Sequence, residues 1–180
     1  VCGAFSSFIV YFANNKEGMQ TIAYWMMGSL AGAQWGELAV IAPIIIASIL
    51  FFWTQSRVLN LMLLGDESAI TMGTDLHAYR QWYLLISSLI VGFAVYSAGM
   101  IGFVGLIVPH VIRMFTGPDH KRLLPIAALV GAIFLVVADG LCRVIIPHTE
   151  LPIGILISMI GAPSFIYLMI KKTYGFGGSD

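Results

Sequence analysis

Gly102-Phe103-Val104-Gly105-Leu106-Ile107-Val108-Pro109-His110 is an apolar run that nevertheless carries two glycines, a proline and a histidine. In a soluble core helix the proline would forfeit a backbone hydrogen bond, and each glycine would cost about 1 kcal/mol relative to alanine. Inside a membrane the same residues are tolerated. Neighbouring helices re-satisfy the freed backbone groups, and small residues let helices approach closely. The stretch reads as a short, broken membrane helix packed against others.

The rest of the 180 residues supports that reading. The chain is 59% hydrophobic and only 10% charged, whereas an ordinary soluble domain carries about 25% charged residues. So few charges cannot cover a water-facing surface. The expected fold class is therefore all-α, a polytopic transmembrane helical bundle. The formal net charge is zero, so no basic excess points to nucleic acid. Cys2 and Cys142 sit in apolar stretches without CxxC or His/Cys metal spacing, and read as small buried hydrophobes. Val1 opens in the middle of a hydrophobic segment with no basic n-region before it. That is not a signal peptide, and the chain reads as a piece of something longer.

A helix needs about 20 apolar residues to cross a bilayer. Five to six segments approach this: 1–13, 38–53 with Pro43 inside, 82–98, the short 101–115 with Pro109, 123–145, and 153–170 with Pro163. Three polar stretches join or follow them: the long loop 56–81, the turn 117–122, and the tail with Lys171 and Lys172. If these lie on one side, that side collects Arg57, Arg80, Arg113, Lys121, Arg122, Lys171 and Lys172, and the other keeps only Lys16 and Arg143. The positive-inside tendency then puts the loop and the C-terminus in the cytoplasm. The parity agrees, because four spans separate loop from tail. Lys16 and Glu17 read as a solvated outer turn. Trp25, Trp35, Trp53 and Trp82 fall near span ends, where aromatic residues anchor at the interface. Gly99, Gly102 and Gly105, together with Pro109, read as helix-packing positions. His110 is either bonded to a neighbouring carbonyl or a functional intramembrane group.

Several strings resemble one known family in order along the chain. They are Tyr24-Trp25-Met26-Met27-Gly28-Ser29-Leu30; Leu59-Asn60 with Leu64-Gly65-Asp66-Glu67-Ser68-Ala69 and Met72-Gly73; Gly99 through His110; Gly117-Pro118-Asp119-His120 with Leu124-Pro125; Ala138-Asp139 with Arg143; and Glu150-Leu151-Pro152-Ile153-Gly154 with Gly161-Ala162-Pro163. The chain resembles the FecCD-type, BtuC-like permeases of ATP-driven importers for iron-siderophores, haem and cobalamin. Asp66 and Met72 depart conservatively from the family's usual Glu and Leu.

The resemblance implies that residues 1–180 are the C-terminal portion of a single permease domain, spans five to ten of a ten-span fold of about twice this length. It implies a permease subunit in the cytoplasmic (inner) membrane of a prokaryote. That subunit forms the translocation pathway as a homodimer and couples to separate cytoplasmic ATPase subunits fed by an external binding protein. ATP and Mg belong to the partner ATPase, and no cofactor is expected on this chain. In the loop 56–81, the coupling residues would be Leu64, Gly65, Asp66, Glu67, Ala69, Met72 and Gly73. From the residues alone, 64–72 is an apolar stripe (Leu64, Ala69, Met72) among acids that can fold as two short helices, or else a solvated loop. Asp139 and Arg143, one helical turn apart, form a favourable intrahelical pair. By resemblance Arg143 also faces the binding protein. Ser6 and Ser7 either line the pathway or pack helices.

Iron-siderophore is the default cargo. The alternatives are another metal chelate, or a passive channel or scaffold. An integral membrane enzyme would need convergent acids, His or Ser at one depth; no H-E-x-x-H and no Walker G-x-x-x-x-G-K-[ST] occurs in the sequence. No catalytic and no metal residues are assigned.

Overall fold

The computed structural model describes residues 16–145 and 151–174, together with Phe8 and Phe12. The span expected over 1–13, with Ser6 and Ser7, lies outside the described residues, apart from the two phenylalanines. All the regular structure described is helical. The helices are α1 Lys16–Met27, α2 Trp35–Thr54, α3 Ser56–Leu63, α4 Asp66–Thr71, α5 Leu76–Ala98, α6 Val104–Thr116, α7 His120–Ile145 and α8 Ile153–Tyr174.

Three of these, α2, α5 and α7, are long and apolar enough to cross a membrane, and α6 and Ile153–Tyr167 of α8 are shorter apolar helices. Their apolar side chains largely face outward: Trp35 is 88% exposed and Phe115 83%. In lipid such faces cost nothing, and close packing rather than the hydrophobic effect holds helices together. The packed interior is correspondingly small. Ala138 and Cys142 of α7 meet Ile153 and Ile157 of α8 in one cluster; Val108 and Ile112 of α6 meet Leu123 of α7 in another. The burial expected for Cys142 is found, and Cys2 lies outside the described residues. Helix α7 is the centre of the bundle, touching α2, α3, α6 and α8.

Element boundaries depart from the hydropathic reading at most helix ends, and three of these departures shape the site and its surroundings. Lys16 and Glu17, read as an outer turn, instead open a helix that runs to Met27. Glu17 in its first turn suits the positive end of the helix dipole. Helix α5 starts at Leu76, not at Trp82, because Asp75 caps it by accepting a hydrogen bond from the His77 N–H at 2.9 Å. Within 64–72 there is one short helix, α4, and its companion α3 lies upstream. Gly65 and Gly73 bracket α4 at φ of 91° and 75°, the left-handed region that glycine adopts without penalty.

Between α5 and α6 the chain leaves the helix from Gly99 to Phe103. Helix α6 has 13 residues, about 20 Å of rise against a hydrocarbon core of about 30 Å. The non-helical residues 99–103 precede it. Irregular backbone at membrane depth must be covered by protein or line a cavity. Here the end of α1 and the start of α8 cover it. The Ser29 N–H donates to the Ala98 carbonyl at 2.9 Å. A Cβ on Gly99 would collide with the Trp25 carbonyl oxygen, and one on Gly154 with the Met27 carbonyl oxygen. A Cβ on Gly161 would stand 2.7 Å from Phe103 Cβ. Phe103 itself holds φ at 63°, a strained value for a bulky side chain. Of the glycines read as packing positions, Gly99 makes this crossing, whereas a Cβ on Gly102 or Gly105 would meet nothing within 4 Å. Pro109 lies inside α6. His110 is half-buried and makes no hydrogen bond among the described residues, so the carbonyl partner expected for it is not found.

Candidate functional site

The loop between α2 and α5 folds back as two short helices. Helix α4 is short because Gly65 and Gly73 stop it at both ends. The Thr74 and Met72 N–H groups bond to the Ala69 carbonyl at 3.0 and 3.1 Å, wrapping the chain around that residue. Ala69 is fully buried. It anchors the turn instead of joining an exposed stripe with Leu64 and Met72. Ile70, passed over in the sequence, takes its place: Leu64 is 61%, Ile70 69% and Met72 65% exposed. Together with exposed Leu63 they make an apolar tip on a loop that is otherwise outside the spans. Exposed apolar patches of this kind occur at protein or membrane contact surfaces. Asp66 and Glu67 lie in the first turn of α4.

The loop is tied to the bundle by polar bonds. Asn60, on α3, donates from Nδ2 to Asp119 Oδ1 at 2.7 Å, and its Oδ1 accepts from the His120 N–H at 2.8 Å. His120 Nδ1 lies 2.8 Å from the same oxygen. The Lys121 N–H donates to Asp119 Oδ1 at 3.0 Å. The hydrogen bond from Asn60, and after it that from Lys121, hold the Asp119 carboxyl below the usual carboxylate range. Trp53 Nε1 donates to the Lys121 carbonyl at 3.0 Å. Tyr83 of α5 donates to Gln55 Oε1 at 3.1 Å, amid Phe51, Phe52 and Tyr79. The motifs around Asn60 and around Asp119 were each visible in the sequence; their contact across 59 positions was not.

At the opposite end of α7, Arg143 Nε donates to Asp139 Oδ2 at 2.8 Å, the intrahelical pair expected from the spacing. The Arg143 side chain is 56% exposed, so the pair leaves it open to solvent. From His120 to Arg143 is about 35 Å along the helix, more than the hydrocarbon thickness of about 30 Å. The apolar tip and Arg143 therefore lie at opposite ends of α7, further apart than the hydrocarbon layer is thick. Among the described residues, no three His, Cys, Asp or Glu come together as a metal site would require. A cleft of about 650 Å³ between α2 and α5 is apolar save for residues such as Glu37 and Ser88. It brings together no convergent polar groups of the kind that orient a small ligand.

The model of the FecCD transport family matches residues 1–171. The chain belongs to this family. Among curated FecCD relatives, the hemin transport system permease protein HmuU of Yersinia pestis is 40% identical over 172 residues, 96% of this chain and 51% of HmuU. The cobalamin import system permease protein BtuC of Halobacterium salinarum is 41% identical over 167 residues, 93% of this chain and 44% of that protein. The chain thus spans about half the length of the curated relatives it matches. A solved ABC transporter, assigned to the metal-chelate type and captured in an inward-facing conformation, superposes with a TM-score of 0.87 at 34% identity. That match covers 94% of this chain and 55% of that one. The fold is thus the all-helical one expected, and this FecCD chain is a multi-pass membrane protein.

Proposed function

We propose that this chain is the C-terminal half of the permease subunit of an ATP-driven importer, spans five to ten, and that its α3–α4 loop receives the cytoplasmic ATPase. The exposed apolar tip of Leu64, Ile70 and Met72 carries the reading, since a loop in water gains nothing from that surface without a partner. Seven of the nine basic residues fall on the loop side, which supports a cytoplasmic loop and C-terminus. On the outer face, solvent-open Arg143 is the docking point for an acidic residue of the external binding protein. The subunit works as a homodimer in the inner membrane of a prokaryote, and ATP and Mg stay on the ATPase. The cargo is a metal chelate, with an iron-siderophore complex as the first candidate. HmuU carries hemin by name and BtuC cobalamin, and either would replace the siderophore if uptake selects it.

The test uses the full-length permease with its cognate ATPase subunits. Leu64→Asp and Met72→Asp should each abolish co-purification of the ATPase while leaving insertion intact. Undiminished co-purification by both variants would refute the loop reading.

A further inference from the structure

Asn60 satisfies two opposite demands at once. Its amide nitrogen faces a carboxylate oxygen of Asp119, and its amide oxygen faces the backbone and ring nitrogens of His120. An aspartate there would lack the donor, and an alanine would supply neither. These bonds join α3, immediately before the apolar tip, to the first turn of α7. A second tie, Trp53 to the Lys121 carbonyl, joins the end of α2 to the same turn. Helix α7 in turn packs on α2, α3, α6 and α8, and carries the Asp139–Arg143 pair at its far end.

We infer that Asn60 is a positioning residue that locks α3 to the start of α7, so that a displacement of the loop is delivered to α7 as a unit. The inference rests on the loop being the ATPase contact. A side-chain amide bonded at both ends holds two elements at fixed separation. With the amide removed, α3 can pivot about Gln55 and Leu64 while α7 stays behind.

The experiment uses the full-length permease in complex with its ATPase subunits, with spin labels at Arg57→Cys on α3 and Arg122→Cys at the start of α7. Both positions are exposed. With Asn60 present, the label separation should be the same without nucleotide and with ATP and vanadate. With Asn60→Ala it should shift between the two states, while the ATPase still co-purifies. Asn60→Asp should behave like Asn60→Ala, because two carboxylates then face each other. The exchange Asn60→Asp with Asp119→Asn restores one donor opposite one acceptor and should restore the constant separation. A merely structural asparagine would not give that rescue. A separation in Asn60→Ala as constant as in the parent, or failure of the exchange to rescue, overturns the inference. Failure of the parent complex to retain the ATPase would instead overturn the loop reading on which it rests.

Discussion

Replacing Gly154 by alanine tests the crossing of α1, residues 99–103 and α8. Gly154 is the second residue of α8, and no positive φ is required of it, so the substitution acts only through space. The added methyl would meet the Met27 carbonyl, whose carbon stands 3.0 Å from it with the oxygen closer still. That carbonyl cannot swing away freely, because the residues after it are held by Gly28 N–H to Trp25 and Ser29 N–H to Ala98 bonds. Overpacking costs about 1–3 kcal/mol, and contact with a fixed backbone belongs at the upper end. The gain in helix propensity from Gly to Ala offsets at most about 1 kcal/mol. The net loss is about 2 kcal/mol, close to a 30-fold fall in the folded-to-unfolded ratio. For a full-length permease of about twice this length that lowers the melting temperature by roughly 2–4 °C. Thermal unfolding of the full-length permease in detergent reads it out. Gly131→Ala is the control, since its methyl would sit at an ordinary 3.9 Å from Val108 Cγ1; it should melt at or above the parent. If Gly154→Ala melts with the parent while the control is neutral, the crossing is not the tight contact described.

Arg143→Ala should weaken binding-protein affinity modestly and in a salt-dependent way, since an exposed ion pair is worth about 0–1 kcal/mol, and Arg143→Glu should weaken it more. A lower melting temperature with unchanged affinity for both would leave Arg143 as the partner of Asp139 only. Asp119 has its carboxyl depressed in the folded state, so its contribution is present above the unfolded carboxylate value and fades as pH falls through the lower folded value. Asp119→Asn should therefore flatten the acid limb of the stability curve below about pH 4 relative to the parent, and parallel limbs in urea titrations at graded pH would count against the bond to Asn60. Cysteines placed at Ser68 and Ser179 should react with a membrane-impermeant thiol reagent only from the cytoplasmic side; reaction of either from outside alone would reverse the topology.

Residues 102–110 disclosed a short, interrupted span because glycine and proline change what a backbone can do regardless of its neighbours. The long helices were legible for the same local reason, sustained apolar length. Their ends were not. Helix α5 continues six residues beyond its hydropathic start and α7 three, because helices project past the bilayer on polar residues that a cap such as Asp75 or Asp119 makes helical. The loop's acidic and apolar composition was plain, but which side of α4 faced outward depended on a turn that closes around Ala69. Ile70 was exposed as a result, and no periodicity over six residues could have shown it. The link from Asn60 to Asp119 needs two motifs to meet in space, and spacing along one chain carries no such information. Arg143 and Asp139, one turn apart, were paired correctly because a helix alone determines that distance.

The two ends of the bundle are fastened by different kinds of matter. Where α1, residues 99–103 and α8 cross, main chain lies on main chain through Gly99, Gly28 and Gly154, and no side-chain rotation can relieve an added atom. At the loop end the fastenings are an asparagine amide, a carboxylate and an indole, side-chain groups held by hydrogen bonds. The two fastenings therefore fail by opposite substitutions: the glycine crossing by adding a methyl group to it, the loop end by taking an amide away.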